Sequence, residues 1–175
     1  MSDSLRTRSA HEGDVGALTA LYRHYVLTHT STFEIEPPDE TEMSERLRKV
    51  LAAQLPYLIA ERDGRLVGYC YVTPYRPRAA YRYTVENSVY VAPDCVGLGI
   101  GRTLLAQLLD ICSASDYREV VAVIGDSANA PSIALHRGAG FTHVGTLTNV
   151  GFKFDRWLDS VIMQKTLAKI SRDAG

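Results

Sequence analysis

The sequence predicts an α+β fold, in which a mixed β-sheet carries helices packed on its faces. Two short β-type segments come early in the chain, and the Asp-Gly pair between them is typical of an antiparallel hairpin. The middle of the chain then alternates strand, helix, strand and helix, and two more strand candidates end it. The early hairpin, the alternation of strands and helices in the centre and the terminal pair of strands together favour one mixed sheet.

Two helices are predicted in the first third of the chain. Apolar residues recur every three or four positions over residues 14–29, which is the pattern of one buried helical face. Asp39 can then serve as the N-cap of a second helix over residues 39–54, which Pro56 ends.

Three strands are predicted next. Tyr57–Glu61 and Leu66–Thr73 flank the turn at residues 62–65 and should pair antiparallel. Tyr83–Val91 is the longest strand candidate in the chain, and Pro93 closes it.

The alternating centre begins at a glycine-rich turn, Gly97–Gly101, which leads into an apolar helical stripe that lasts to about Ser115. Val120–Ile124 is a continuous apolar run, as expected of a strand covered on both faces. A short helix over about Ala130–Arg137 follows, and two glycines end it.

In the C-terminal part of the chain, the sequence predicts two strands, Thr142–Leu147 and Leu158–Gln164. The aromatic segment Gly151–Trp157 lies in the connection between them. Aromatic side chains crowd this short connection, where burial within one chain is difficult, and this favours a homodimer. They are Phe152, Phe154 and Trp157.

Composition excludes several classes of function. The chain has 175 residues, 46% of them hydrophobic, which suits one compact domain. Its 19 Lys and Arg against 20 Asp and Glu leave a net charge of −1, so nucleic acid is not an expected partner. Neither a signal-peptide core nor the roughly 18 uninterrupted apolar residues of a membrane helix are present, so no membrane association is expected.

Cysteine and histidine usage points away from disulfides and metals. The three cysteines, Cys70, Cys95 and Cys112, are an odd number without a Cys-x-x-Cys pair, which fits a reducing, cytoplasmic location. The five histidines show no metal-ligand spacing, so no metal is expected.

The glycine turn is the most informative local motif. Its three alternating glycines let backbone N–H groups approach an anion, and a helix N-terminus adds about half a positive charge, so a pyrophosphate would fit. A tight turn without a ligand is the alternative. Arg102 stands where the dinucleotide fingerprint needs a glycine, and the Gly-Lys-Ser/Thr of a P-loop is missing, so both common phosphate-binding motifs are excluded.

Val96–Gly101 instead resembles the acyl-CoA signature of the Gcn5-related N-acetyltransferase (GNAT) superfamily, usually Gln/Arg-x-x-Gly-x-Gly/Ala, with Val96 departing from the first position. Four further segments resemble the phosphinothricin and methionine sulfoximine acetyltransferase branch. They are Thr32-Phe33-Glu34 with Glu36-Pro37-Pro38, Thr84–Val91, Asn129 through Gly140-Phe141, and Val150–Phe154 with Arg156-Trp157-Leu158-Asp159.

The resemblance implies a GNAT fold, a mostly antiparallel twisted sheet of about six to seven strands with about four helices. It implies a single acetyltransferase domain at residues 5–167, with short extensions at 1–4 and 168–175. Acetyl-CoA is the implied co-substrate, a small-molecule amine the acceptor, and a homodimer the assembly. The implied acetyl-CoA-binding residues are Val89, Tyr90, Val91, Val96, Gly97, Leu98, Gly99, Ile100, Gly101, Arg102, Asn129 and Ser132.

Glu86 is the candidate general base. Acetyl transfer needs a neutral amine, yet an α-amino group has a pKa of about 7.7–8.0, so a nearby proton acceptor helps. An inward-facing carboxylate in mid-strand would be desolvated and its pKa raised toward that range, whereas a solvent-facing Glu would do nothing. The family counterpart of Glu86 acts as the base.

His136 is the second catalytic candidate. A single histidine on a short helix more often packs or faces solvent. Similar enzymes place a Tyr or His here near the CoA sulfur, which makes His136 a candidate acid for the departing thiolate or a second proton relay.

The segment Tyr75–Tyr83 holds three arginines and three tyrosines, and Arg76 or Arg78 could pair with an acceptor's carboxylate or phosphinate. An ordinary solvated loop is the alternative. Gly125 would leave room for a bulky head group at the end of its strand. The expected acceptor-binding residues are Phe33, Arg76, Arg78, Tyr83, Asn87 and Ser88.

Two other functions stay open. An acetyltransferase for a polyamine, an aminoglycoside or a protein N-terminus would be favoured by an acidic pocket, whereas the arginine-rich loop favours an anionic acceptor. A non-catalytic acyl-CoA-binding sensor would use the glycine turn without the base. The leading hypothesis is direct acetyl transfer to the α-amino group of a small amino-acid-like substrate.

Overall fold

The computed structural model describes residues 5–168, and the expected extensions, Ala168 apart, lie outside them. The strands are β1 (Arg6–Ser9), β2 (Tyr57–Arg62), β3 (Arg65–Pro74), β4 (Thr84–Val91), β5 (Glu119–Gly125), β6 (Thr142–Lys153) and β7 (Arg156–Thr166). The helices are α1 (Val15–Thr28), α2 (Glu40–Ala52), α3 (Ile100–Ala114) and α4 (Ala130–Gly138).

The strands form a seven-stranded sheet in the order β1-β2-β3-β4-β5-β7-β6. Within the described residues β4 and β5 are the parallel pair, and all other neighbours are antiparallel. The predicted α+β fold with a mixed, mostly antiparallel sheet is thereby confirmed. No helix in residues 5–168 is long and apolar enough to cross a membrane.

The helices cover both faces of the sheet. On the face of α1 and α2, Tyr22 packs edge-on against Tyr90 of β4, with ring centroids 5.3 Å apart. On the face of α3 and α4, the Cys70 thiol of β3 donates to the Leu104 carbonyl of α3 at 3.4 Å. Because side chains alternate along a strand, even-numbered residues of β4 face α1 and odd-numbered ones face α3 and α4.

The parallel strands β4 and β5 part midway. They pair from Thr84 with Glu119 to Asn87 with Ala122. Beyond Asn87, β4 continues to Val91 with β3 as its paired neighbour. The β5-facing edge of the second half of β4 therefore opens into a gap.

The sequence pattern does not predict β1, because Arg-Thr-Arg-Ser has no apolar alternation. β1 pairs antiparallel with β2 at the sheet edge. Arg8 also binds Asp14 and Glu61, each at 2.7 Å. Backbone pairing and charge, rather than a hydrophobic face, hold this strand.

The aromatic segment Gly151–Trp157 is not the loop that its sequence predicts. β6 and β7 run into it and leave Phe154 and Asp155 as a two-residue turn with φ of +52° and +55°. Such a turn matches the twist of paired strands. A bulge in β6 places Asn149 at φ +55° and interrupts the alternation that would have revealed the longer strand.

Lys153 ties this hairpin to the loop between α1 and α2. Its side chain is buried, and Nζ donates to the carbonyls of His29 at 2.9 Å and Thr32 at 2.8 Å. Burial lowers the pKa of the ammonium. The loop that it anchors carries Phe33, a predicted acceptor-binding residue.

We expect Lys153→Met to lower the free energy of unfolding by about 1–3 kcal/mol, because two carbonyls lose their charged donor. Urea denaturation measures the change. Lys49→Met on the exposed face of α2 is the matched control and should stay within about 0.5 kcal/mol of wild type. Equal stability of the two variants would contradict the anchoring role.

Candidate active site

The turn before α3 has the backbone that an anion site needs. Gly97 and Gly99 have φ of +84° and +81°, a region that other residues rarely adopt. Gly99 is the N-cap of α3, whose first N–H groups lack intrahelical partners. No atom of the described chain would lie within 4 Å of a Cβ at either glycine, so the space beside the turn is open.

A cleft of about 930 Å³ opens beside this turn. Arg102, exposed in the first turn of α3, adds a positive charge to its wall. The predicted acetyl-CoA-binding residues that line it are Val89, Val91, Val96, Gly97, Gly99, Ile100, Gly101, Arg102, Asn129 and Ser132.

Two predicted acetyl-CoA-binding residues do not line the cleft. Tyr90 faces the other side of the sheet, where its ring packs against Tyr22, and its main chain pairs with Tyr69 of β3. Leu98 is 55% exposed between the two strained glycines. Strand alternation explains the first case, since a run of consecutive strand residues cannot all face one cleft.

Sequence reasoning missed one end of the cleft, which the loop between α1 and α2 forms together with Asp126 and Arg156. Asp126 follows β5 at φ +74° and accepts hydrogen bonds from Arg156 at 2.6 Å and Thr30 at 3.0 Å. Its other carboxylate oxygen accepts from the Ala128 N–H. An Asp directly after a buried strand is the signal that could have marked this turn.

Tyr25 is another lining residue that the sequence did not indicate. Its hydroxyl donates to the Val91 carbonyl at 2.6 Å, which fixes α1 against the free edge of β4. Helical periodicity marks Tyr25 as a core residue, and nothing in that pattern shows that its hydroxyl reaches a strand 66 residues away.

Glu86 lies in mid-strand, as predicted, and is half-buried on the α1 face of β4. Its strand neighbours are Thr73 of β3 and Val121 of β5. Burial raises the pKa of its carboxyl, and the Arg76 cation opposes part of that shift. Partial burial therefore disfavours the charged form of this carboxyl.

The other acceptor-binding candidates surround this face unequally. Arg76 and Arg78 are exposed on the loop before β4, and Arg76 acts electrostatically on Glu86. Tyr83 is exposed, with the Arg82 guanidinium 4.4 Å from its ring centroid. Ser88 shares the Glu86 face by alternation. Of these candidates, Arg76 is the one whose charge acts on the carboxylate.

The space predicted at Gly125 is already filled, so that expectation is wrong. A Cβ at Gly125 would lie 2.4 Å from the Thr30 carbonyl oxygen and 2.9 Å from the Phe33 ring. A Cβ at Gly151 would lie 2.5 Å from the same ring. Phe33, 38% exposed, lies against both glycines, so their missing side chains accommodate Phe33 rather than a substrate.

His136 and Asn87 lie together on the opposite face from Glu86. Both are buried, and His136 Nε2 lies 3.0 Å from Asn87 Nδ2. His136 Nδ1 lies 2.8 Å from the Ser132 carbonyl, and its ring packs edge-on against Phe141. Burial lowers the pKa of His136, so the ring is neutral at pH 7. Both ring nitrogens are thus engaged within the protein, and the alternation of β4 places Asn87 on the face opposite Glu86.

Within residues 5–168, no three His, Cys, Asp or Glu side chains are grouped to hold a metal ion. The described cysteines are free and buried.

Comparison with known proteins identifies relatives of this chain. Residues 18–141 match the model of the acetyltransferase (GNAT) family. A phosphinothricin N-acetyltransferase of Alcaligenes faecalis is 54% identical over 160 residues, which are 91% of this chain and 81% of that protein. An L-methionine sulfoximine/L-methionine sulfone acetyltransferase of Salmonella typhimurium is 40% identical over 163 residues, or 91% and 93% of the two chains.

A solved structure has the same architecture. The GNAT superfamily phosphinothricin acetyltransferase from Sinorhizobium meliloti, in complex with AcCoA, superposes with a TM-score of 0.91 at 38% identity. The superposition covers 98% of this chain and 93% of that one.

Proposed function

The chain belongs to the GNAT acetyltransferase family, and from that premise we propose that it acetylates the α-amino group of a small amino-acid-like substrate of the phosphinothricin or methionine sulfoximine type. One observation carries the proposal: β4 holds a desolvated carboxylate on one face and an unpaired edge beside a glycine-lined cleft. A sensor that only bound acyl-CoA would have no use for the buried charge of Glu86.

Acetyl-CoA fits the cleft on two observations. The open space beside Gly97 and Gly99, at the N-terminus of α3 and near Arg102, suits a pyrophosphate. The edge of β4 beyond Asn87 has no strand partner on the β5 side, although the Val91 carbonyl there accepts from Tyr25. This edge suits the amide-bearing pantetheine arm, which would lie along it like an added strand. When bound, acetyl-CoA supplies an acetyl group activated as a thioester.

The work of this chain is to deliver a neutral amine. Glu86 accepts a proton from the ammonium, which frees the nitrogen lone pair to form the new C–N bond as the C–S bond breaks. The attacking nitrogen loses a second proton, which ends on the departing thiolate, so amine and thioester become amide and thiol. Glu86 releases the proton that it accepted to solvent. Arg76 and Arg78 would hold the acceptor's anionic groups on the same face.

His136 has no acid role in this proposal. Its Nδ1 faces a carbonyl, which only accepts, so Nδ1 carries the proton and Nε2 presents a lone pair to Asn87. A neutral ring in that state holds its one N–H on the Ser132 carbonyl and has none at Nε2 to give to a thiolate.

A thiol-release assay with acetyl-CoA tests the function. The acceptor panel is phosphinothricin, methionine sulfoximine, methionine sulfone, spermidine, an aminoglycoside and a ribosomal N-terminal peptide. We expect efficient turnover with the first three. Efficient turnover of only the cationic or peptide acceptors would show that the proposed substrate class is wrong. Acetyl-CoA binding without turnover of any acceptor would favour a non-catalytic acyl-CoA-binding sensor.

We expect Arg76→Ala to raise the KM for phosphinothricin by ~10–150-fold, the loss of a charge-assisted hydrogen bond. Because the Arg76 cation holds the pKa of Glu86 down, its removal should also move the acidic limb of kcat/KM to higher pH. Both quantities come from steady-state kinetics over a pH series.

Two matched variants separate these effects. Arg78→Ala should raise the same KM without moving the pH limb. Arg82→Ala, which removes the cation stacked on Tyr83, should change neither. If the Arg76→Ala enzyme has the wild-type KM, a residue other than Arg76 binds the anionic group of the acceptor.

We also propose a homodimer that uses the β6–β7 hairpin. Phe152, Phe154 and Trp157 are 52%, 51% and 63% exposed on it. Light scattering should give about twice 19.3 kDa for the wild type. Trp157→Lys should lower that mass, whereas Ile111→Lys on exposed α3 should not. A monomeric wild type at all concentrations would end this proposal.

The proposed location is the cytoplasm, where the buried thiols of Cys70, Cys95 and Cys112 would stay reduced.

A further inference from the structure

The Asn87 carboxamide is the most unusual polar group near the cleft. Asn87 is 5% exposed, and its Oδ1 has no hydrogen-bond partner among residues 5–168. A buried acceptor left without a donor is costly, and native proteins keep few of them. Its donor must therefore come from outside the described residues.

The neighbours of Asn87 identify the side from which a ligand donor would come. Asn87 belongs to the last residue pair before β4 and β5 part, opposite Ala122. Val89, two residues later on the same face, lines the cleft, and so does Ser132, one turn before His136. Asn87 does not itself line the cleft but lies next to residues that do, where β4 and β5 part and on the face opposite Glu86.

His136 determines which end of the carboxamide faces that ligand. The Ser132 carbonyl fixes the ring proton on Nδ1, so Nε2 is an acceptor and requires a donor. The Asn87 Nδ2 amide supplies it at 3.0 Å. With Nδ2 directed to the ring, Oδ1 is left as the free acceptor. Phe141 packs edge-on against the ring and limits its reorientation.

We propose that Asn87 Oδ1 accepts a hydrogen bond from an amide N–H of the pantetheine arm, and that His136 is a positioning residue which acts through Asn87. This inference rests on the proposed function, because it requires acetyl-CoA in the cleft. It assigns Asn87 to the acetyl-CoA side of the site rather than to the acceptor amine.

The experiment measures acetyl-CoA affinity by calorimetry, then kcat and KM, for four variants with thermal unfolding as the folding check. Asn87→Leu removes both amide contacts and should weaken binding by ~3–10-fold. His136→Leu removes the ring nitrogen that orients the Asn87 amide and should weaken acetyl-CoA binding by a similar factor. The double variant should bind no more weakly than Asn87→Leu alone, because the two residues act in series.

His136→Gln is the conservative variant that separates positioning from proton transfer. A Gln carbonyl can still accept from Asn87 Nδ2, but it cannot titrate. We expect its acetyl-CoA affinity and its kcat to stay within ~3-fold of wild type. The pH at which its rate falls should not change. A kcat loss of ~10²–10⁴ with unchanged acetyl-CoA affinity would restore the acid or relay role and overturn the inference.

The remaining outcomes are distinct. Wild-type acetyl-CoA affinity in Asn87→Leu overturns the inference and leaves the proposed function intact. A raised acceptor KM with unchanged acetyl-CoA affinity does the same and returns Asn87 to the acceptor side. Absence of acetyl-CoA binding by the wild type overturns both proposals. If Asn87→Leu does not fold, the contrast between His136→Gln and His136→Leu decides.

Discussion

Replacing Glu86 by Gln is expected to lower kcat at pH 7 by about 10²–10⁴-fold, the usual contribution of a general base. The side chain keeps its size and its place between Thr73 and Val121, so the fold and acetyl-CoA affinity should not change. Steady-state kinetics with phosphinothricin measures the loss. A variant with the wild-type rate at pH 7 would remove Glu86 from the mechanism.

The pH dependence makes this prediction specific. Burial raises the pKa of Glu86, and the base works only when ionised, so wild-type kcat/KM should fall as the pH drops through that raised pKa. Glu86→Gln should lack this acidic limb. Its rate should approach that of wild type at high pH, where the amine is already neutral.

Stability supplies the control for the same variant. Because the folded-state pKa of Glu86 is raised, its charged form is disfavoured in the folded protein. That cost is fully present above the folded-state pKa and disappears below the unfolded value of about 4.5. Glu86→Gln should therefore unfold at an equal or higher temperature than wild type at pH 7, with no difference at pH 4. A lower Tm at pH 7 would mean that the kinetic loss reflects damage to the fold.

The second large effect is expected at the glycine turn. Gly99→Asp places a carboxylate where the pyrophosphate of acetyl-CoA is proposed to lie, at the N-cap of α3. A Cβ there meets no atom of the described chain within 4 Å, so the carboxylate fits without a steric clash. We expect at least ~30-fold weaker acetyl-CoA binding, about 2 kcal/mol, by calorimetry.

The backbone effect and the charge effect can be separated. Gly99 has φ +81°, which Asn and Asp tolerate better than other residues, so Gly99→Asn matches the strain of Gly99→Asp without its charge. Gly99→Asn should retain most of the affinity, and high salt should narrow the gap between the two variants. If Gly99→Asp binds acetyl-CoA as tightly as wild type, the pyrophosphate does not lie at this turn.

Local sequence patterns were sufficient for features that depend on neighbouring residues. Helical periodicity located α1 through α4, because a buried helical face repeats every three to four residues. The Asp-Gly pair located the β2–β3 hairpin, with Asp63 and Gly64 at φ +51° and +74°. The alternating glycines located the turn before α3, since positive φ favours glycine. Alternation did not predict β1, which is polar, or the full length of β6, which a bulge interrupts.

The tertiary structure alone decided which side chains meet. The sequence determined that Glu86 lies in mid-strand and that the Gly97–Gly101 turn opens a helix. It could not join Asn87 to His136, 49 residues away. It could not fill the space at Gly125 with Phe33 or anchor the Thr32 carbonyl to Lys153, 121 residues away. Such contacts depend on strand order, register and the parting of β4 from β5, which arise only when distant segments pack together.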